Sequence, residues 1–176
     1  HTILLGPRYK GLLDDIFHNL NLSDDFSLYL HRPTATDPSM APAGHDAFYV
    51  LSPVPHLGSG TNWTEERERY RKLISDYLSR TVLPGLEDNL VTARVLTPQG
   101  FRDDLLSVQG SAFGMQPILT QSAYFRPHNE SEELEGLYIV GAGTHPGAGL
   151  PGVLSSAKLL DRIIPDARTS TTKKAA

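Results

Sequence analysis

The densest group of residues suited to binding chemistry is VGAGTHPGAGLPGV, residues 140–153. Five glycines, Gly141, Gly143, Gly147, Gly149 and Gly152, fall within a span of twelve positions. Glycine removes the Cβ that would hold a ligand away from the backbone, and it permits tight turns. The stretch lies between an apolar run, LYIVG at 137–141, and a segment of helical periodicity from Pro151 to about Ile164. The start of such a helix offers unpaired N–H groups and the positive end of its dipole. Pro151 suits a first helical turn, where no N–H is required. A phosphate or another electron-rich group is the ligand this combination favours. A turn that only packs a helix on a strand would carry the same glycines, so both readings stand on these residues. Gly147-x-Gly149-x-x-Gly152 matches the dinucleotide pattern, but a lone match is weak. An ordinary fingerprint is followed by a second strand and an acidic residue about 20 positions on. Here a helix and a polar tail follow instead, so residues 137–164 read as the closing segment of a nucleotide-binding unit.

Other chemistry-bearing groups are sparser. Asp24-Asp25 precede an alternating run, where a carboxylate pair suits acid–base work; a solvated strand edge carries such pairs as readily. Arg126-Pro127-His128-Asn129 is a polar cluster suited to an anionic ligand or to ordinary loop hydrogen bonding. The seven histidines show neither H-x-x-x-H nor H-x-H spacing, so no metal site is expected. His145 alone lies inside the glycine-rich turn, where bonding to the loop's own backbone is its plainer role. No G-x-S-x-G elbow occurs, which disfavours a serine hydrolase. The absence of cysteine excludes thiol catalysis, disulfides and Cys-based zinc sites in these residues. A net charge of −4 disfavours nucleic acid as a partner.

The elements that must position these groups follow from periodicity. With 39% hydrophobic and 20% charged residues, the 176-residue chain is globular in composition. Residues 1–6 read as a strand, and 8–19 as a helix with Leu12, Leu13, Ile16 and Phe17 on one face. FSLYLHR (26–32) and AFYVLS (47–52) read as strands, joined by a loop too long for a tight hairpin. Tyr70, Leu73, Ile74, Tyr77 and Leu78 fall at helical spacing within 64–83, with Thr64 as the cap. LVTARVLT (90–97) is β-branched and predicts a strand, and 98–108 a short helix opened by Pro98. No apolar run approaches the roughly 18 residues of a membrane-spanning helix. The chain opens on His1, inside what reads as a strand, so it is expected to be part of a longer protein.

The segments DDFSLYLHRPTATDPSMAP, FYVLSPVPHLG, GSAFGMQPILTQSAYFRPHN and GLYIVGAGTHPGAGLPGV resemble, in this order, the bacterial-type phytoene desaturases. These are FAD-dependent carotenoid desaturases of the amine-oxidase-like flavoprotein superfamily. The likeness runs over about residues 1–158, after which the last helix and polar tail diverge. The resemblance implies the carboxyl-terminal portion of such an enzyme. It implies an α/β fold: a mixed-sheet portion of a substrate-binding domain (1–115), then the closing strand-turn-helix of a Rossmann-like FAD domain (116–164), then a disordered tail (165–176). FAD is the implied cofactor, an apolar carotenoid precursor the substrate, and a membrane surface on the cytoplasmic side the peripheral partner. The implied cofactor-binding residues are Gly141, Ala142, Gly143, Thr144, His145, Pro146, Gly147, Gly149, Pro151, Gly152 and Val153, and Asp24 or Asp25 the implied catalytic residue. Isolated, such a portion is expected to be inactive. The alternatives are a non-catalytic fragment or interaction module, and another flavin oxidoreductase of the amine-oxidase type.

Overall fold

The computed structural model of the chain describes residues 1–112, 114–116 and 118–166. Residues 167–176, most of the tail expected to be disordered, lie outside the described residues. The chain folds as two compact units, one ending at Ser111 and the other beginning at Ala112.

The first unit is built on a three-stranded sheet of β1 (Thr2–Leu4), β2 (Leu28–His31) and β3 (Tyr49–Leu51), in that spatial order. Both pairings are antiparallel, with Leu4 opposite Leu28 and Tyr29 opposite Leu51. The sheet expected to be mixed is therefore antiparallel among the described residues, with β2 central. Alternation decides its faces. Leu28 and Leu30 are buried, whereas Tyr29, His31 and their cross-strand neighbours Ile3 and Tyr49 lie on the other face, half-buried or exposed. On that face the His1 ring stacks on His31 with centroids 4.2 Å apart.

Helix α1 (Tyr9–Phe17) buries Leu12 and Ile16. Helix α2 (Trp63–Thr81) supplies the other half of the core. Phe26, Leu28, Tyr70 and Leu78 form its centre, flanked by Leu4, Leu73, Ile74 and Tyr77. Phe26 meets Tyr70 and Tyr77 edge-on, with ring centroids 5.9 and 5.3 Å apart, the geometry aromatic quadrupoles favour. Burial pushes the Tyr70 phenol pKa up, and its hydroxyl pairs with Ser52 Oγ at 3.3 Å. The cap of α2 is Asn62, not Thr64: its side chain accepts from the Thr64 N–H at 3.1 Å. The helix starts one residue earlier than its polar pattern indicates because Trp63 is drawn into the core.

The predicted strand at 90–97 does not form, and Val91 is 76% exposed. β-propensity acts only where a neighbouring strand completes the ladder. α3 (Leu86–Asn89) precedes this stretch and α4 (Pro98–Leu105) follows it, with the Thr97 hydroxyl accepting from Gly100 N–H. In the second unit the predicted strand at 137–141 is reduced to one antiparallel bridge, Glu130 to Tyr138. The Ile139 N–H bonds Asn129 O and the Ser131 N–H bonds Leu137 O, after which the ladder ends. Helix α5 (Leu150–Ile163) forms as predicted, one residue earlier at each end.

The connection from β2 to β3 is closed by a side-chain clasp. Asp46 accepts from Thr34 Oγ1 at 2.6 Å and from Arg32 Nε at 2.9 Å. The Thr34 hydroxyl, and then Arg32, hold its carboxyl below the usual carboxylate range.

Two outcomes are expected. Leu78→Ala, at a site only 1% exposed, should destabilise the unit by about 2–5 kcal/mol in urea unfolding. Asp46 should titrate by NMR below its value in an unfolded chain. A carboxylate depressed in the fold contributes stability above its unfolded pKa and loses it as pH falls through the folded one. Asp46→Asn should accordingly flatten the acid side of the stability profile; an unchanged acid limb would show that the clasp is not formed in solution.

Candidate functional site

The glycine-rich residues form an irregular strap that enters α5. Gly141, Gly147 and Gly149 have φ of 125°, 137° and 90°, values that side-chain-bearing residues rarely adopt. Gly152, in the first turn of α5, is glycine for a different reason. A Cβ there would stand 2.4 Å from the carbonyl oxygen of Gly147, which is backbone and cannot swing aside. Gly143 has neither requirement: its φ is not positive, and an added Cβ would meet nothing within 4 Å. Gly141 is equally open around its Cβ position. The strap thus offers a run of backbone free of side-chain cover.

Side chains from outside the strap hold its backbone. Asn129, 6% exposed, donates to Ile139 O at 3.1 Å and to Thr144 Oγ1 at 3.3 Å. Thr144 in turn donates its hydroxyl to Gly141 O at 3.1 Å. Ser156, wholly buried on α5, accepts from Gly141 N–H at 2.9 Å and donates to Val153 O at 2.8 Å. Arg126 Nη1 donates to Ala142 O at 2.6 Å. His145 bonds Pro127 O through its N–H at 2.9 Å, and its ring Nδ1 lies 3.0 Å from Ala123 O. His145 therefore bonds the backbone of the 123–127 segment rather than that of its own loop. Pro151 sits in the first turn of α5 and Val153 N–H closes onto Gly149 O. No side chain caps the N-terminus of α5, and its first turn holds no acidic residue. Ser156 carried no signal in the sequence, since a serine inside a helix is ordinary.

A hollow in this unit does not include the strap. It is open, and is lined by His128, Asn129, Glu130, Leu159 and Ile163. The strap is the stronger candidate because bare backbone, a helix start and a braced geometry coincide there.

Asp24 and Asp25 belong to the first unit and are both ion-paired. Asp24 lies 2.9 Å from Arg69 Nη1, with 63% of its side chain exposed. Arg69 also bonds Glu66 on α2. Asp25 Oδ2 lies 2.8 Å from Arg8 Nε, yet neither of its oxygens has a well-aligned donor, so charge more than a directed hydrogen bond holds that pair. Arg8 is shared with Asp15, whose carboxyl the Asn19 amide, then Arg8, holds low. Gly6 passes so close that a Cβ would lie 2.7 Å from Asp25 Oδ1 and from Phe26 O. Asp25 is thereby built into the junction of β1 and β2.

No family model matches the chain. Individual relatives do. The phytoene desaturase (lycopene-forming) of Pseudescherichia vulneris is 57% identical over 159 residues, 90% of this chain and 32% of the relative. The phytoene desaturase (neurosporene-forming) of Rhodobacter capsulatus is 50% identical over all of this chain and 34% of its own. The 4,4'-diapophytoene desaturase (4,4'-diapolycopene-forming) of Methylomonas is 38% identical over 93% of this chain. The chain spans about a third of the length of the curated relatives it matches. In sequence, therefore, this chain is similar over nine-tenths or more of its length to about a third of the length of these phytoene desaturases.

Proposed function

We propose that the chain is part of an FAD-dependent carotenoid desaturase, in which the second unit closes the flavin site and the first contributes to substrate binding. The observation that carries the reading is identity of 50–57% with phytoene desaturases over nine-tenths or more of the chain. Bound FAD supplies the acceptor for hydride removed from an allylic carbon. The residues fit such a group. Gly141 and Gly143 leave the strap backbone bare, and the uncapped start of α5 favours an electron-rich ligand. Gly147, Gly149 and Gly152 let the strap turn into the helix, and Ala142, Thr144, His145, Pro146, Pro151 and Val153 are the other residues of the run proposed to lie along the cofactor, Thr144 and His145 as braces of the strap backbone. The task of these residues is to orient the ring system and keep water from it.

The substrate is an apolar polyene precursor. The sheet face turned from the core, with Ile3, Tyr29 and Tyr49, is the apolar and aromatic surface the first unit offers to it. The proton lost beside the hydride is assigned to Asp24 rather than Asp25, since Asp24 is exposed and Asp25 is wedged against Gly6. Among the described residues no helix is long and apolar enough to cross a membrane. Contact with the lipid that dissolves the substrate is proposed to be peripheral, on the cytoplasmic side.

In the full-length protein, desaturation of phytoene carried in liposomes should require FAD, and Asp24→Asn should lower kcat at least 10-fold with flavin content unchanged. Turnover without flavin, or an unaffected kcat, overturns the respective assignment. A second comparison separates packing from ligand contact. Gly152→Ala should lower stability by about 1–3 kcal/mol, because its Cβ meets fixed backbone. Gly143→Val should leave the melting temperature within about 2 °C and still reduce flavin retention. Normal flavin content in Gly143→Val would mean that the strap does not face the cofactor.

A further inference from the structure

Arg126 is a buried arginine with no acidic partner among the described residues. It is 5% exposed. Among the described residues its side chain makes one hydrogen bond, from Nη1 to the carbonyl of Ala142. Among the described residues no carboxylate pairs with it, whereas Arg71, with a more exposed side chain, has both Glu68 and Glu87. A guanidinium has five N–H donors, and a carbonyl dipole offsets only part of a full charge taken out of water. The position of this cation gives the imbalance a direction. A Cβ on Gly147 would lie 3.1 Å from Arg126 Nε, and the Gly147 carbonyl in turn abuts Gly152 in the first turn of α5. Buried cation and helix start therefore meet the same strap. Both favour negative charge, and neither has an acidic side chain to receive.

We infer that Arg126 is the specificity-determining residue of the strap, the counter-charge for a phosphate group on the ligand that the strap takes. The inference rests on the flavin reading and sharpens it. An oxidised flavin ring is neutral at pH 7, so the formal charge of FAD sits on its diphosphate. Arg126 then distinguishes FAD from riboflavin, which has the same ring and no phosphate. A guanidinium that only braced Ala142 would serve both alike.

The test titrates the full-length apoprotein with FAD and with riboflavin, following flavin fluorescence, in the parent, Arg126→Gln and Arg126→Lys. Arg126→Gln should weaken FAD about 10- to 100-fold and riboflavin less than about 2-fold, and Arg126→Lys should recover most of the loss. Inorganic pyrophosphate should raise the melting temperature of the parent and of Arg126→Lys, but not of Arg126→Gln. Equal weakening of both flavins without recovery by lysine overturns the inference in favour of a brace, as does undiminished FAD affinity in Arg126→Gln. If Arg126→Gln does not fold, Arg126→Lys decides: a preserved preference for FAD over riboflavin supports the charge, and its collapse overturns it. A parent that binds neither flavin but gains Arg126-dependent stability from pyrophosphate sinks the flavin reading and leaves the anion site standing. A parent indifferent to all three ligands sinks both.

Discussion

A buried peptide group without a helix or sheet to pair it must find a side chain, and the second unit is organised around that requirement. Its strap makes one bridge with the chain beside Glu130 and then runs free of any ladder. Asn129, Thr144, Ser156 and Arg126 take over the bonds a neighbouring strand would have made. Each of these side chains is buried, and the bonds it makes to the strap are part-buried. Glycine appears where the strap's own backbone demands it, at Gly141, Gly147, Gly149 and Gly152, and also at Gly143, where nothing among the described residues does. That difference separates glycines the fold requires from one it does not.

The first unit answers a different requirement, that of covering one face of a small sheet. Helix α2 lays Tyr70 and Leu78 on Phe26 and Leu28, and the aromatic edges fix how the helix sits. The carboxylates at the entry to β2 are held from two sides, Asp24 by an arginine of α2 and Asp25 by Arg8 ahead of α1. The paired acids thereby anchor helix and chain entry to the sheet, whatever chemistry one of them serves. They also differ in access, which their adjacency in the sequence conceals.

Periodicity made the long elements legible. The i, i+3, i+4 spacing from Tyr70 to Leu78 is the buried face of α2, and the alternation of FSLYLHR is the two-faced pattern of β2. Elements that depend on a partner were not legible. LVTARVLT and LYIVG have strand composition, yet one forms no strand and the other a single bridge, since composition does not say what lies alongside. The glycine turn was visible as a candidate site, and Arg126 and Asn129 as a polar cluster near it in sequence. That they brace the same strap follows from the fold, and Ser156 was hidden because hydroxyls in helices are common. The likeness to carotenoid desaturases rested on long ordered motifs, which survive any error in assigning short strands.

The clasp of Asp46 with Thr34 and Arg32 bears on how this sheet tolerates change over evolutionary time. The clasp closes a few residues from the strands, and the hydrogen bonds made by residues 35–45 are local turns of the excursion rather than bonds to the strands. Closing a longer excursion adds only a logarithmic entropy cost, about 0.6 kcal/mol for each doubling of length. The prolines and small residues between Thr34 and Asp46 are therefore free to lengthen, shorten or diversify without slipping the strands they connect. Variation among related chains is expected to concentrate in that excursion, while the three clasp positions covary.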